Sequence, residues 1–185
     1  MSEESDLEVG RYALRSFEYF ELHPYPEIAE AYSYWDDGRV RGFRSTSYHN
    51  QLRTDWSDGT CEAVCTKTHP RHEAPKEHCT CGIYGSLSYA DLVAQFHGYT
   101  RLIVAVIAAE GVTFIGSRGL RTQFARVVAY SVRPDELPQR VAAHQFRDAQ
   151  RYDTVFEMVE AYGLRMLPPT AEDHGGRGAP NWWTG

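Results

Sequence analysis

Apolar and β-branched residues gather most densely between positions 102 and 132. "RLIVAVIAAEGVTFIG" is a long apolar run interrupted at Glu110-Gly111. After a "GSRG" turn, "LRTQFARVVAYSV" first alternates and then becomes wholly apolar. This pattern predicts a three-stranded antiparallel meander centred near Val104, Phe114 and Val127. The unbroken stretch 102–109 predicts a strand covered on both faces. Earlier in the chain, "RYALRSFEYFELHPY" and "YSYWDDGRVRGFRSTSY" carry the aromatic and β-branched content of short strands. Asp37-Gly38 is a turn dipeptide, so "WDDGRVRGF" reads as a hairpin, with "AEAYSYW" on its left as a strand or short helix. Residues 45–60, ending in "WSDGT", read as loop.

Helical periodicity appears in three places. "SLSYADLVAQF" opens with Ser88 and Asp91 three residues apart, a capping-box pattern that satisfies free amides at a helix start. Leu92, Val93 and Phe96 give it an apolar face. "QRVAAHQFRDAQ" predicts a second helix, with Pro138 suited to a first helical position. "DTVFEMVEAYG" predicts a third: Asp153 or Thr154 caps it, Gly163 ends it, and Val155, Val159 and Tyr162 form its buried stripe. The fold expectation is α+β: an antiparallel β-meander or small open barrel, short flanking helices, and a Cys/His loop ordered by zinc. Residues 1–10 form an acidic lead, 11–168 a single domain with the Cys/His loop at 61–84, and 169–185 a Gly-rich tail ending in Trp182-Trp183.

Charge adds an asymmetry to this picture. The chain of 185 residues has a net charge of −6. Residues 1–40 carry ten acids against three arginines, whereas residues 101–151 carry eight arginines against four acids. Only two of the 19 basic residues are Lys, a bias expected of a GC-rich genome and so of an actinobacterium or its phage. No apolar run approaches the roughly 20 residues that span a bilayer. The polar start "MSEESDLEVG" is unlike a secretory signal, which predicts a cytoplasmic protein with no membrane partner. In a reducing compartment, clustered cysteines read as thiols or metal ligands rather than disulfides.

"CEAVCTKTHPRHEAPKEHCTCGIY" holds all four cysteines and three of the eight histidines. Zinc takes four thiolate or imidazole ligands in a tetrahedron. Two sets fit: Cys61, Cys65, Cys79 and Cys81, or Cys65, His72, Cys79 and Cys81. The segment is polar and holds Pro70 and Pro75, so it lacks the apolar surface to order itself; a structural zinc supplies that order. Unliganded thiols behaving as small apolar residues are the bland alternative. Glu73, beside His72, is the one candidate base for a catalytic metal. The zinc deaminases, however, need H-x-E and C-x-x-C, and His72-Glu73 and Cys79-x-Cys81 match neither.

In its context this segment resembles a family of actinobacterial and actinophage proteins with an H-x-A-P…C-x-C-G-I-Y-A motif. The matching features are Trp56, "AVC" at 63–65, "HEAP" at 72–75, "CTCGIYG" at 79–85, "VAVIAAEG" at 104–111 and "SRGLRTQFARVVAY" at 117–130. The likeness covers roughly residues 35–132 and departs at Gly85, where the pattern usually has Ala. It implies Cys65, His72, Cys79 and Cys81 as the shared ligand set, with Cys61 an extra. It also implies an actinobacterial or phage setting, and no particular reaction.

Two further features carry chemistry. "GSRGLR" places glycines and arginines in a turn between strands, and Arg118, Arg121 and Arg126 form a candidate phosphate or nucleic-acid surface. It lacks the P-loop pattern, and a pI near 5.7 disfavours generic DNA binding. Glu110, in an apolar strand, would need Arg101, Arg121 or another partner if buried. Trp182 and Trp183 either dock on the domain or anchor a partner. The expected function is therefore a non-enzymatic cytosolic regulator or adaptor, plausible as a phage product, that binds a host or phage protein and carries a structural zinc. Nucleic-acid or nucleotide binding through Arg118–Arg126 is the second reading, and a zinc metalloenzyme the third.

Overall fold

The structure is a computed structural model that describes residues 12–23, 40–45, 56, 58–65, 72–96, 103–134 and 136–167; for 18–23, 40–45 and 136–137 it gives the backbone alone. The elements run β1 (Tyr12–His23), β2 (Val40–Ser45), β3 (Thr60–Glu62), β4 (Ile83–Ser86), α1 (Tyr89–Gln95), β5 (Ile103–Ile115), β6 (Gly119–Val132), α2 (Glu136–Gln145), β7 (Gln150–Tyr152) and α3 (Val155–Ala161). The α+β expectation holds. Six strands pair antiparallel, and β7 joins β6 in parallel. A single bridge, Leu14 to Ser86, brings β4 against β1 while β4 also pairs with β6. The sheet therefore curls back on itself without becoming a complete barrel.

The expected three-stranded meander is two long strands instead. β5 continues through Glu110-Gly111, where Glu110 pairs with Phe124 and Thr113 with Thr122. Two residues, Gly111 and Val112, thus oppose Gln123 alone, which is a β-bulge. Gly111 takes a φ of +71°, accessible to glycine at little cost, and Gln123 accepts the Val112 amide through its side chain at 3.3 Å. A second irregularity lies opposite Val106-Ile107, around Val128.

Alternation along β5 explains its apolar run. Ile103, Ala105, Ile107 and Ala109 face a larger core with Phe17, Trp56, Cys61, Val127 and Phe146. Val104 and Val106 face a smaller one with Leu14, Leu92, Met158 and Val159. α2 supplies Val141 and Ala142 to the first core, whereas α1 and α3 cover the second. Phe17 meets Trp56 edge-on at 5.2 Å and Phe146 at 5.3 Å. Buried Gln145 donates to the Trp56 carbonyl at 2.9 Å, so Trp56, read from sequence as loop, sits within the core.

The capping expectations hold in detail. Ser88 Oγ accepts the Asp91 amide at 3.1 Å and donates to its carboxylate at 2.7 Å. Thr154, rather than Asp153, caps α3, and Gly163 follows it at φ +62°. Met158 joins Val159 as a buried residue of α3, while Val155 and Tyr162 are half-buried. Pro138 is the third residue of α2, which ends at Gln145 instead of running on to residue 150. β2 finds its partner in β1, with Phe17 opposite Ser45 and His23 opposite Val40. The Asp37-Gly38 tip, the acidic lead and the tail with Trp182-Trp183 lie outside the described residues. Among the described residues, no helix is long and apolar enough to cross a membrane.

Candidate metal centre

β5 occupies one edge of β6 along almost its full length, so β3 and β4, with β7 further along, share the other. β3 pairs at residues 124–126 and β4 at 119–122. Both ends of the Cys/His segment are thereby fixed on neighbouring stretches of one strand. The Ala63 amide, donating to Gln123 at 2.8 Å, extends β3 toward Cys65. Cys79 closes a turn by donating its amide to Lys76 at 3.0 Å, and Cys81 lies two residues before β4. Ala74 and Pro75 are buried and hold the middle of the segment down.

This framework brings together Cys65, His72, Cys79 and Cys81, whose ligand atoms all lie within 4.8 Å of one another. Cys65 Sγ and Cys79 Sγ are 3.7 Å apart, and His72 Nε2 is 3.3 Å from Cys81 Sγ. Tetrahedral zinc with bonds of about 2.3 Å to sulfur separates its sulfurs by about 3.8 Å. The donor set and these two separations are compatible with a zinc site. No disulfide joins any of the four cysteines.

The crowding of the thiols sets their ionisation. Burial, then the hydrogen bond with Cys79 and the nearness of Cys79 and Cys65, push the Cys81 thiol up to about 12. Thiols this close resist ionising together in the absence of a cation. A bound divalent ion reverses that balance by stabilising each thiolate directly.

Cys61 takes no part. It lies within the larger core opposite Ala125, with Sγ 3.8 Å from the Glu62 carbonyl. The all-cysteine set is thus replaced by the set containing His72, because Cys61 is paired within β3 opposite Ala125 with its side chain in the core, whereas Cys65 lies beyond the end of that strand. Among the described residues, no carboxylate joins the cluster; Glu73 and His78 are exposed, and His69 lies outside the described residues.

The three arginines do not form one basic surface. Arg121 is 2% exposed. It donates to the backbone carbonyls of Glu77 at 3.2 Å, Cys79, and Cys81 at 3.4 Å, with its guanidinium 4.7 Å over the Phe114 ring. Arg118 Nε and a terminal nitrogen both meet Asp91, itself 3% exposed, at 2.7 Å, and so brace the start of α1. Arg126 pairs with Glu110 at 3.5 Å, both half in solvent, so Glu110 needs neither Arg101 nor Arg121. A second inward arginine, Arg15, was not singled out from sequence: it donates to the Tyr84 carbonyl and lies 5.4 Å over the Trp56 ring. Burial lowers its pKa to about 10. Charge alone cannot mark such residues, since an inward and an outward arginine read alike in a strand. Comparisons with family models, curated proteins and solved structures return no match, so the site is defined by its own geometry.

Proposed function

We propose that this chain is a non-enzymatic binding protein in which Cys65, His72, Cys79 and Cys81 hold a structural zinc ion. The observation that carries the reading is the convergence of four ligand atoms within 4.8 Å, with a sulfur–sulfur separation suited to zinc. Four protein ligands complete a tetrahedron, leaving no position for a reactive water or a substrate. The ion would pin residues 65–81 between β3 and β4, adding about 10 kcal/mol or more of binding free energy to the folded state. A domain stiffened in this way suits a regulator or adaptor that presents a fixed surface to a protein partner. The sequence likeness adds an actinobacterial or phage setting to the proposal. The Arg118–Arg126 alternative is weakened by the burial of Arg121 and the ion pairs of Arg118 and Arg126.

The test is elemental analysis of native protein by mass spectrometry. One zinc per chain is expected, falling toward zero in Cys79→Ser and Cys81→Ser, with chelation lowering the unfolding midpoint. Metal-free native protein whose stability is indifferent to chelators overturns the reading. Retention of a protein partner at high salt by wild type, with loss in Cys81→Ser, supports the adaptor role. Binding to DNA or RNA that weakens steeply with salt and with Arg118→Ala favours the alternative.

A further inference from the structure

We propose that Arg121 is the positioning residue and internal counter-charge of the metal centre, an inference that rests on the metal reading above. Three observations carry it. First, Arg121 reaches three carbonyls of the ligand loop, and two of these belong to the ligands Cys79 and Cys81 themselves. A planar guanidinium with donors in a fixed fork sets the spacing of those carbonyls, which a point-charge ammonium does not. Second, the fork is itself held. Arg121 lies opposite Tyr84 on β4 and Phe114 on β5, and the Phe114 ring lies beneath the guanidinium. Third, the chain entering β4 packs closely on the base of the Arg121 side chain. A Cβ at Gly82, whose φ is +128°, would come 3.1 Å from Pro75 Cβ and 3.4 Å from Arg121 Cβ.

Chemistry supplies the reason for a cation there. Three thiolates and a neutral imidazole around a divalent ion leave one negative charge in excess. Of the ligands only Cys81 is fully buried and the other three are half-buried, and an excess charge held partly out of water is costly without an opposite partner. Arg121, buried and bonded to the ligand backbone, brings that charge to the loop. It also arranges Cys79 and Cys81 before the metal arrives, so binding closes a site already partly built.

Cobalt(II), titrated into metal-free protein, reads both roles through its thiolate charge-transfer and d–d bands. Arg121→Lys keeps a positive charge but loses the fork. It is expected to bind cobalt about 10–100-fold more weakly with an altered d–d envelope. Its metal-free circular dichroism should stay close to wild type. Arg121→Met, lacking charge and donors, should bind more weakly still. Equal affinity and an identical spectrum in Arg121→Lys would show that Arg121 is only a packing residue. A wild type that gives no cobalt spectrum sinks the metal reading itself, a separable outcome. A measurement on wild type alone covers variants that fail to fold. The Arg121 guanidinium protons should exchange slowly with solvent even in metal-free protein, and protection that appears only after metal binding overturns the clamp.

Discussion

Gly85 has only a hydrogen where β4 comes up against β1. A Cβ built there would lie 2.5 Å from Ala13 Cβ and 3.2 Å from Ile107 Cδ1. Non-bonded carbons rest at about 3.5–4.0 Å, so Gly85→Ala demands roughly 1 Å of separation between β1 and β4. Neither strand moves freely. β4 is paired with β6 through residues 83–86, and β1 is paired with β5 through residues 12–17. Overpacking of this kind costs about 1–3 kcal/mol. In a chain of this length that lowers the melting temperature by about 2–12 °C. The compensating change is Ala13→Gly, which removes the clashing carbon at a cost of about 0.5–1 kcal/mol for glycine in a strand. Urea and thermal unfolding of both single variants and the double variant form a cycle. The double variant should be more stable than Gly85→Ala alone. A neutral Gly85→Ala, or strictly additive losses, would refute the close approach.

Other outcomes follow from the same geometry. Ser88→Ala removes the acceptor for the Asp91 amide and should cost about 1 kcal/mol in urea denaturation. Cys61→Ala should leave zinc stoichiometry unchanged by elemental analysis, because Cys61 packs in the core, whereas Cys65→Ser should abolish it. Asp58 accepts the Thr60 hydroxyl at 2.7 Å and the Thr60 amide at 2.9 Å, which holds its pKa below the ordinary 3.8. A depressed folded pKa means that its stabilisation is full above 3.8 and is lost as pH falls through the folded value. Carboxyl NMR should place the Asp58 titration below that of an exposed aspartate, and Thr60→Val should raise it.

What the sequence made legible was mostly local. Ser88 and Thr154 cap through groups three residues away, so a short window contains the whole interaction. The run at 103–109 shows burial on both faces, because residues of both parities are apolar. Glu110-Gly111 misled because a glycine that ends a strand and one that bulges it look alike; the distinction lies in Gln123, on another strand. β7 was missed for a related reason: its parallel pairing with residues 129–131 leaves no pattern in a three-residue strand. The Cys/His cluster was half legible. Spacing supplied the candidates but could not rank Cys61 against His72, a choice made by the register of β3 on β6. The role of Arg121 is set by three carbonyls about 40 residues upstream and has no sequence signature.

β6 pairs with β3, β4, β5 and β7, and its order has consequences for the nascent chain. All four residues of the Cys/His cluster have been synthesised by residue 81, whereas the strand on which β3 and β4 pair finishes at residue 132. At translation rates of about 5–20 residues per second, the ribosome needs on the order of seconds to add that strand. During this interval the thiols have left the peptidyl-transferase centre without a scaffold to converge on. On the proposed zinc reading, an ion delivered in that window would meet a linear string of donors, and one delivered later an assembled cage. Pulse-loading of stalled nascent chains truncated before and after β6 separates these two orders of events.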